Sequence, residues 1–262
     1  MKISVVTITY NAAKVLQRTL DSVRSQTYRN IEHLIIDGAS KDETLEIVRS
    51  YELGVRSYES GARSYEVRVV SEPDRGIYDA MNKGLKLATG DYIVFMNAGD
   101  TFHDKDTLEK VASGRLEGAA VLYGDTNIVD SEGRFLRKRH LSVPDHLTWR
   151  SFKKGMLVCH QAFYARLDIA RDIPYDLQYR HSADVDWCIR VMKEAEKRHL
   201  PLLRVPGVVA DFMDGGNTTQ NHRDSLLERF QIMRKHYGLL TTLAMHVWFV
   251  IRSVPSLRAS RQ

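Results

Sequence analysis

Four short, mostly apolar runs, residues 3–8, 31–36, 67–70 and 92–96, are separated by segments of helical length. The runs are rich in β-branched and aromatic residues, so they read as buried strands. Between the first two, Val15, Leu16, Leu20 and Val23 fall on one helical face. A second helix starts at residues 44–48, and residues 77–88 form a third. A β-α-β-α-β-α-β order needs crossover connections, and hence a doubly wound, mostly parallel sheet flanked by helices. Sheets of this kind bind ligands beyond the carboxyl ends of their strands. Those ends are polar here: Thr9-Tyr10-Asn11, Asp37-Gly38 and Asn97-Ala98-Gly99-Asp100. Behind a small residue and a glycine, the Asp100 carboxylate can meet a metal ion or a sugar hydroxyl; an ordinary Asn/Gly/Asp turn has the same pattern.

Local signals fill in the connections. Asn11 is placed to cap the first helix, and Ser40 to cap the second with Glu43 as its capping-box partner. Beyond Asp100 the spacing predicts a helix over 107–116 and a strand over 119–123 that stops at Gly124-Asp125. Residues 128–136 read as a hairpin turning at Ser131-Glu132-Gly133. Residues 156–163, which contain Cys159-His160-Gln161, are strand-like. Ser182-Ala183-Asp184-Val185-Asp186 leads into a helix, 202–209 is a late strand, Gly215-Gly216-Asn217 is a turn, and 226–237 is a further helix.

The tetrapeptide Arg-Ser-Tyr-Glu occurs at 49–52, 56–59 and 63–66. Three copies interrupted by Gly54 and Gly61 are too few and too broken for a coiled coil. They read as a tandem duplication lengthening a surface helix or loop, with no function of its own.

With 262 residues, 43% hydrophobic and 27% charged, the chain has the balance of a globular protein with a sizeable core. Its net charge of +5 suits an anionic ligand or membrane surface and is too mild to point to nucleic acid. Cys159 and Cys188 have no metal or disulfide spacing and fit a reducing cytosol. The strand pattern starts at the amino terminus, from which no signal peptide is expected, and no apolar stretch reaches the roughly 18 to 20 residues of a membrane span.

Four stretches carry a family resemblance: Val5-Val6-Thr7-Ile8-Thr9-Tyr10-Asn11; Ile35-Ile36-Asp37-Gly38-Ala39-Ser40-Lys41-Asp42; Ser71-Glu72-Pro73-Asp74-Arg75-Gly76-Ile77-Tyr78-Asp79-Ala80-Met81-Asn82-Lys83-Gly84; and Phe95-Met96-Asn97-Ala98-Gly99-Asp100. In this order they resemble family 2 glycosyltransferases with the GT-A fold, most of all the bacterial branch that builds exopolysaccharide and colanic-acid-type repeat units. The resemblance spans roughly residues 1–235. It implies an inverting transfer of sugar from a nucleotide-diphosphate donor, a UDP-sugar by preference, to a saccharide or lipid-linked saccharide acceptor in polysaccharide biosynthesis. It also implies one GT-A domain over 1–237, with a nucleotide-binding half at 1–100 and an acceptor half at 101–237, followed by an apolar and basic tail at 238–262.

The resemblance assigns roles position by position. Thr9, Tyr10 and Asn11 line the nucleotide pocket, Asp37 accepts a hydrogen bond from the base, and Arg75 reaches a base carbonyl or a phosphate. Asp79 and Asn82 share a helix face and touch the donor sugar or ribose. Asp100 ends the metal motif and would hold Mg²⁺ or Mn²⁺ together with donor phosphates; Asn97 and Gly99 stand where other members carry carboxylates, so free-metal affinity is expected to be weak. Asp184 matches the catalytic base, with Asp186 the alternative; the glutamate usual before the base is Ala183 here. Both aspartates are also placed to favour the helix dipole. His160 and Gln161 line the donor–acceptor cleft, and Gly215-Gly216-Asn217 resembles a late glycine loop over the acceptor.

Two other classes compete. A dinucleotide oxidoreductase needs a glycine-rich turn after the first strand, and residues 9–13 hold no glycine. A non-catalytic nucleotide-sugar-binding protein of the same fold is opposed by acidic residues at both 100 and 184. Residues 239–251, followed by Arg252, Arg258 and Arg261, suit either a packed terminal helix or a peripheral contact with an anionic inner-membrane face.

Overall fold

The computed structural model describes residues 1–58, 65–215 and 222–259. Strands β1 (Ile3–Thr9), β2 (Ile31–Asp37), β3 (Tyr65–Ser71) and β4 (Tyr92–Phe95) lie parallel in the order β3-β2-β1-β4. Every residue of β1 and β2 is buried; their apolar majority packs in the core, and the polar Ser4 and Thr7 pair with Glu32 and His33. Helices α1 (Ala13–Arg24), α2 (Thr44–Tyr58) and α3 (Ile77–Leu87) make the crossovers. The register sets Thr9 beside Asp37 and Asp37 beside Ser71, so the polar strand ends share one edge.

The sheet continues past β4 into a mixed half. Its remaining strands are β5 (Thr101–Phe102), β6 (Val121–Val129), β7 (Phe135–Lys138), β8 (Phe163–Arg166) and β9 (Leu202–Met213). The full order is β3-β2-β1-β4-β8-β6-β9-β5, with β7 paired on β6. Helices α4 (Thr107–Val111), α5 (Leu167–Ala170), α6 (Ala183–Lys197), α7 (His222–Tyr237) and α8 (Leu239–Ala259) surround it.

Several sequence expectations change. Gly124-Asp125 does not end a strand: β6 runs through it, and the register against β9 shifts between Tyr123 and Thr126. The glycine is needed because a Cβ there would come within 2.7 Å of Val209. Residues 156–163 are not a strand; a 3₁₀ turn over His160–Ala162 precedes β8. Their polar side chains turn toward β4 and α6 instead of alternating across a sheet. Helix 107–116 is shorter than expected and closes with a 3₁₀ turn at Gly114–Leu116. Asn11 and Ser40 do not cap helices. Asn11 adopts a left-handed φ of 47° and accepts from Lys41 N–H, while Ser40 binds Asp37.

The repeat is more than surface. Tyr51 of the first copy and Tyr65 of the third are buried and hydrogen-bond each other. Both reach His33 Nδ1, at 2.9 and 3.3 Å, while His33 Nε2 lies 2.9 Å from Thr7 Oγ1. The copies therefore deliver two hydroxyls to a buried histidine on β2. Residues 59–64 lie outside the described part, as do Gly216 and Asn217 of the late glycine loop.

Helix α8 packs by one face on α7, where His246 meets Phe230 edge-on at 5.0 Å. Leu240, Leu243, Val247, Val250 and Ile251 on its other face are exposed. The side chains of Arg252 and Arg258, and all of Arg261, lie outside the described residues.

Candidate active site

The edge formed by β1 and β2 is knitted tightly. Asp37 is fully buried, and its carboxylate accepts from Ser40 N–H at 3.0 Å and Ser71 Oγ at 2.6 Å. Asn11 N–H donates to Ser40 Oγ at 2.8 Å, joining the turn after β1 to the turn after β2. Tyr10 stands out from this edge at 60% exposure, a flat ring open to stacking. Thr9 Oγ1 is buried with no hydrogen-bond partner among the described residues.

The third stretch splits in two. Arg75 and Asp79 pair with each other through Nη2–Oδ1 at 2.9 Å and Nε–Oδ2 at 3.3 Å. Arg75 is exposed, so the pair is weak and readily exchanged for a ligand phosphate. Asn82 faces elsewhere: it donates to Tyr175 O at 3.0 Å and accepts from Tyr175 N–H at 2.7 Å. Its amide is spent holding the segment before α6 against α3. Tyr78, one position before Asp79, instead points inward and donates to Asp184 Oδ1 at 3.2 Å. Sequence reasoning assigned Tyr78 no role, although it lies inside the quoted stretch.

The centre of the site is a cavity of about 190 Å³ lined by Tyr78, Asn97, Asp100, His160, Gln161 and Asp184, among others. Asp100 follows β4. Gly99, with φ of 99°, turns the chain so that Asp100 Oδ1 accepts from Met213 N–H at 2.9 Å. Gln161 Nε2 donates to Oδ2 at 2.6 Å. Burial raises the Asp100 carboxyl to about 6, against the lowering effect of these two hydrogen bonds. Opposite stands Asp184 in the first turn of α6. Burial alone would raise its pKa, but His160 and the charge of Arg229 more than offset this and leave it below its ordinary value. The carboxylate is therefore ionised near neutrality and able to take a proton.

His160 joins the two sides, with Nδ1 3.2 Å from Asp184 Oδ2 and Nε2 3.0 Å from Asn97 Nδ2. Asp186, two residues along α6, faces away from the cavity. It is fully buried and bound by Arg190 Nε at 2.6 Å, His236 Nε2 at 2.8 Å and Lys235 Nζ at 3.1 Å. Although burial opposes it, the His236 hydrogen bond and the Arg190 charge hold this carboxyl far below the ordinary range. It locks α6 to α7.

Among the described residues no three His, Cys, Asp or Glu side chains converge on a metal position. Asp100 is a single hard oxygen donor, with both oxygens engaged by neutral N–H groups. That donor set fits Mg²⁺ or Mn²⁺ only if a ligand's phosphate oxygens complete the coordination.

A parallel sheet with polar carboxyl ends, extended by a mixed half that carries a second carboxylate, is the GT-A arrangement. The family model described as glycosyl transferase family 2 matches residues 4–173. The chain belongs to that family and is a glycosyltransferase. It is 36% identical over 190 residues to a PGL/p-HBAD biosynthesis glycosyltransferase of Mycobacterium bovis, spanning 71% of this chain and 68% of that protein. It is 32% identical over 201 residues to the amylovoran biosynthesis glycosyltransferase AmsB of Erwinia amylovora, covering 72% and 64%. Among solved structures, S. aureus TarS 1-349 in complex with UDP-GlcNAc aligns with a TM-score of 0.68 at 20% identity, over 89% of this chain and 65% of that one. The mannosyltransferase PcManGT from Pyrobaculum calidifontis, in complex with GDP-Man and Mn²⁺, aligns at 0.62 with 16% identity, over 99% and 79%.

Proposed function

We propose that this chain transfers a sugar from a nucleoside-diphosphate donor, a UDP-sugar in the first instance, to a saccharide or lipid-linked saccharide with inversion at the anomeric carbon. The observation that carries the reading is that Asp100 and Asp184, from opposite halves of the fold, open onto one cavity, with His160 tying Asp184 to Asn97, three residues before Asp100. The nucleotide occupies the β1–β2 edge, with Tyr10 against the base and the buried Thr9 hydroxyl and Asp37 edge beside it. Asp184 accepts the proton of the acceptor hydroxyl as its oxygen bonds to the anomeric carbon and the bond to the diphosphate breaks. His160 and Tyr78 hold that carboxylate in place. Asp100 would hold Mg²⁺ or Mn²⁺ together with the donor phosphates, and the ion would supply charge to offset the leaving diphosphate. AmsB, by name an amylovoran enzyme, supports a bacterial polysaccharide acceptor, and the exposed stripe of α8 supports work at an anionic membrane face. Residues 1–237 then form the catalytic unit and 238–262 its surface anchor.

The test is a thermal-shift panel of nucleoside diphosphates with and without Mn²⁺, followed by transfer assays. A ligand that binds only the native state raises the midpoint. UDP should shift the midpoint more with Mn²⁺ than without. Asp100→Ala should erase that difference and abolish transfer. Full activity of the variant, or of the wild type in EDTA, would sink the metal assignment.

A further inference from the structure

The charges beside Asp184 are not all matched. Arg180 and His181 line the cavity next to it. The backbone N–H groups of Arg180, His181 and Ser182 all donate to the Glu228 carboxylate, at 2.7, 2.8 and 2.9 Å. This clamp pins the approach to α6, yet neither the Arg180 nor the His181 side chain has a hydrogen-bond or ion-pair partner among the described residues. Arg229 follows Glu228 on α7. It shares a helical face with Ser225, whose Oγ lies 3.2 Å from Ser182 Oγ, and with the fully buried Ile232. Arg229 therefore looks toward the start of α6, and its Nε is buried with no partner.

Among the described residues no nearby carboxylate hydrogen-bonds or ion-pairs with either arginine, although the Arg229 charge acts on Asp184. Asp184 is engaged by His160 and Tyr78, Asp100 by Gln161 and Met213 N–H, and Glu228 by three backbone groups. A buried guanidinium nitrogen left without an acceptor marks a place where a ligand supplies one. Both arginines belong to the acceptor half: Arg180 lines the cavity with Asp184 and Asp100, and Arg229, outside that lining, is close enough for its charge to act on Asp184. We propose that Arg180 and Arg229 form a subsite for an oxyanion carried by the acceptor, a sugar carboxylate or a phosphate ester, next to the hydroxyl that Asp184 deprotonates. The subsite rests on the transfer reading above and adds an acidic class of acceptor to it. A guanidinium fork suits both oxyanions because either presents two oxygens in its plane.

Saturation-transfer NMR and affinity titration in the presence of saturating UDP and Mn²⁺ test this with three probes: methyl β-D-glucuronoside, glucose 1-phosphate and the neutral methyl β-D-glucoside. UDP affinity of each protein is measured first. At least one anionic probe should bind tenfold or more tightly than the neutral one, and which of the two does so identifies carboxylate or phosphate as the source. Arg180→Met and Arg229→Met should each erase most of that preference while UDP affinity stays within twofold, and Arg229→Lys should retain part of it. Equal binding of charged and neutral probes overturns the subsite. So does a loss of UDP affinity in the arginine variants, which would assign the cations to the donor diphosphate. A wild type that binds neither UDP nor GDP would overturn the transfer reading and the subsite with it.

Discussion

His160 Nδ1 lies 3.2 Å from Asp184 Oδ2 while its Nε2 lies 3.0 Å from Asn97 Nδ2. An amide nitrogen can only donate, so with the Asn97 amide assigned this way Nε2 accepts and Nδ1–H faces the carboxylate. One imidazole thus orients the proposed base from the end of β4.

His160→Ala should lower kcat about 10- to 100-fold, a part of the roughly 10²- to 10⁴-fold that a general base contributes, with little change in UDP affinity. His160 lowers the Asp184 pKa, so removing it should move the acidic limb of the rate profile to higher pH. Asp184→Asn should remove transfer altogether and leave nucleotide binding. A pH–rate profile of His160→Ala that superimposes on the wild type would show that the imidazole does not act on Asp184.

A second prediction concerns stability and pH. Burial lowers the His33 pKa from 6.5 to about 3. The unfolded chain takes up a proton below about pH 6.5 that the native state refuses until about pH 3. The contribution is whole above pH 6.5 and is lost progressively toward pH 3, up to a few kcal/mol. Urea midpoints should fall between pH 7 and pH 4, and His33→Gln should flatten that slope.

For the repeat, Tyr65→Phe removes one hydroxyl from the His33 cluster and should cost about 1–2 kcal/mol. Deleting residues 52–65 removes Tyr65 and most of the second half of α2 together. A duplication that only lengthened a surface helix or loop would tolerate that deletion. The buried pairing of Tyr51 and Tyr65 predicts loss of cooperative unfolding by circular dichroism, while Tyr65→Phe still folds.

The outer stripe of α8 yields a separable prediction. Leu240→Glu with Val247→Glu changes residues that are 84% and 60% exposed, so the fold should be kept. Wild-type protein should sediment with anionic liposomes and be released by salt, and the double variant should remain in the supernatant. Equal sedimentation of the two would remove α8 from the membrane reading. Truncation after Gly238 should likewise abolish sedimentation and spare UDP binding.

The strand ends were legible in the chain because strands buried on both faces leave mostly apolar, β-branched runs, and the polar residues that follow must gather at one edge. That reasoning placed Thr9, Asp37 and Asp100 without coordinates. It misjudged residues 156–163, where a short apolar run is compatible with either an extended or a coiled backbone. It also missed Arg180 and Arg229, which look like ordinary surface arginines until Glu228 is seen to hold the backbone of residues 180–182 against α7.

The parallel half of the sheet, the family and the presence of two acidic positions could be read from the residues alone. Which of Asp184 and Asp186 faces the cavity was decided by tertiary structure. At about 100° per residue, two positions along a helix point about 200° apart, so one must face away from whatever the other faces. Both are equally acidic and equally placed for the helix dipole, and nothing local distinguishes them. Packing of α7 does: Lys235 and His236, with Arg190 from α6 itself, draw Asp186 into a buried ion cluster. Asp184 is left turned toward His160, Tyr78 and the cavity.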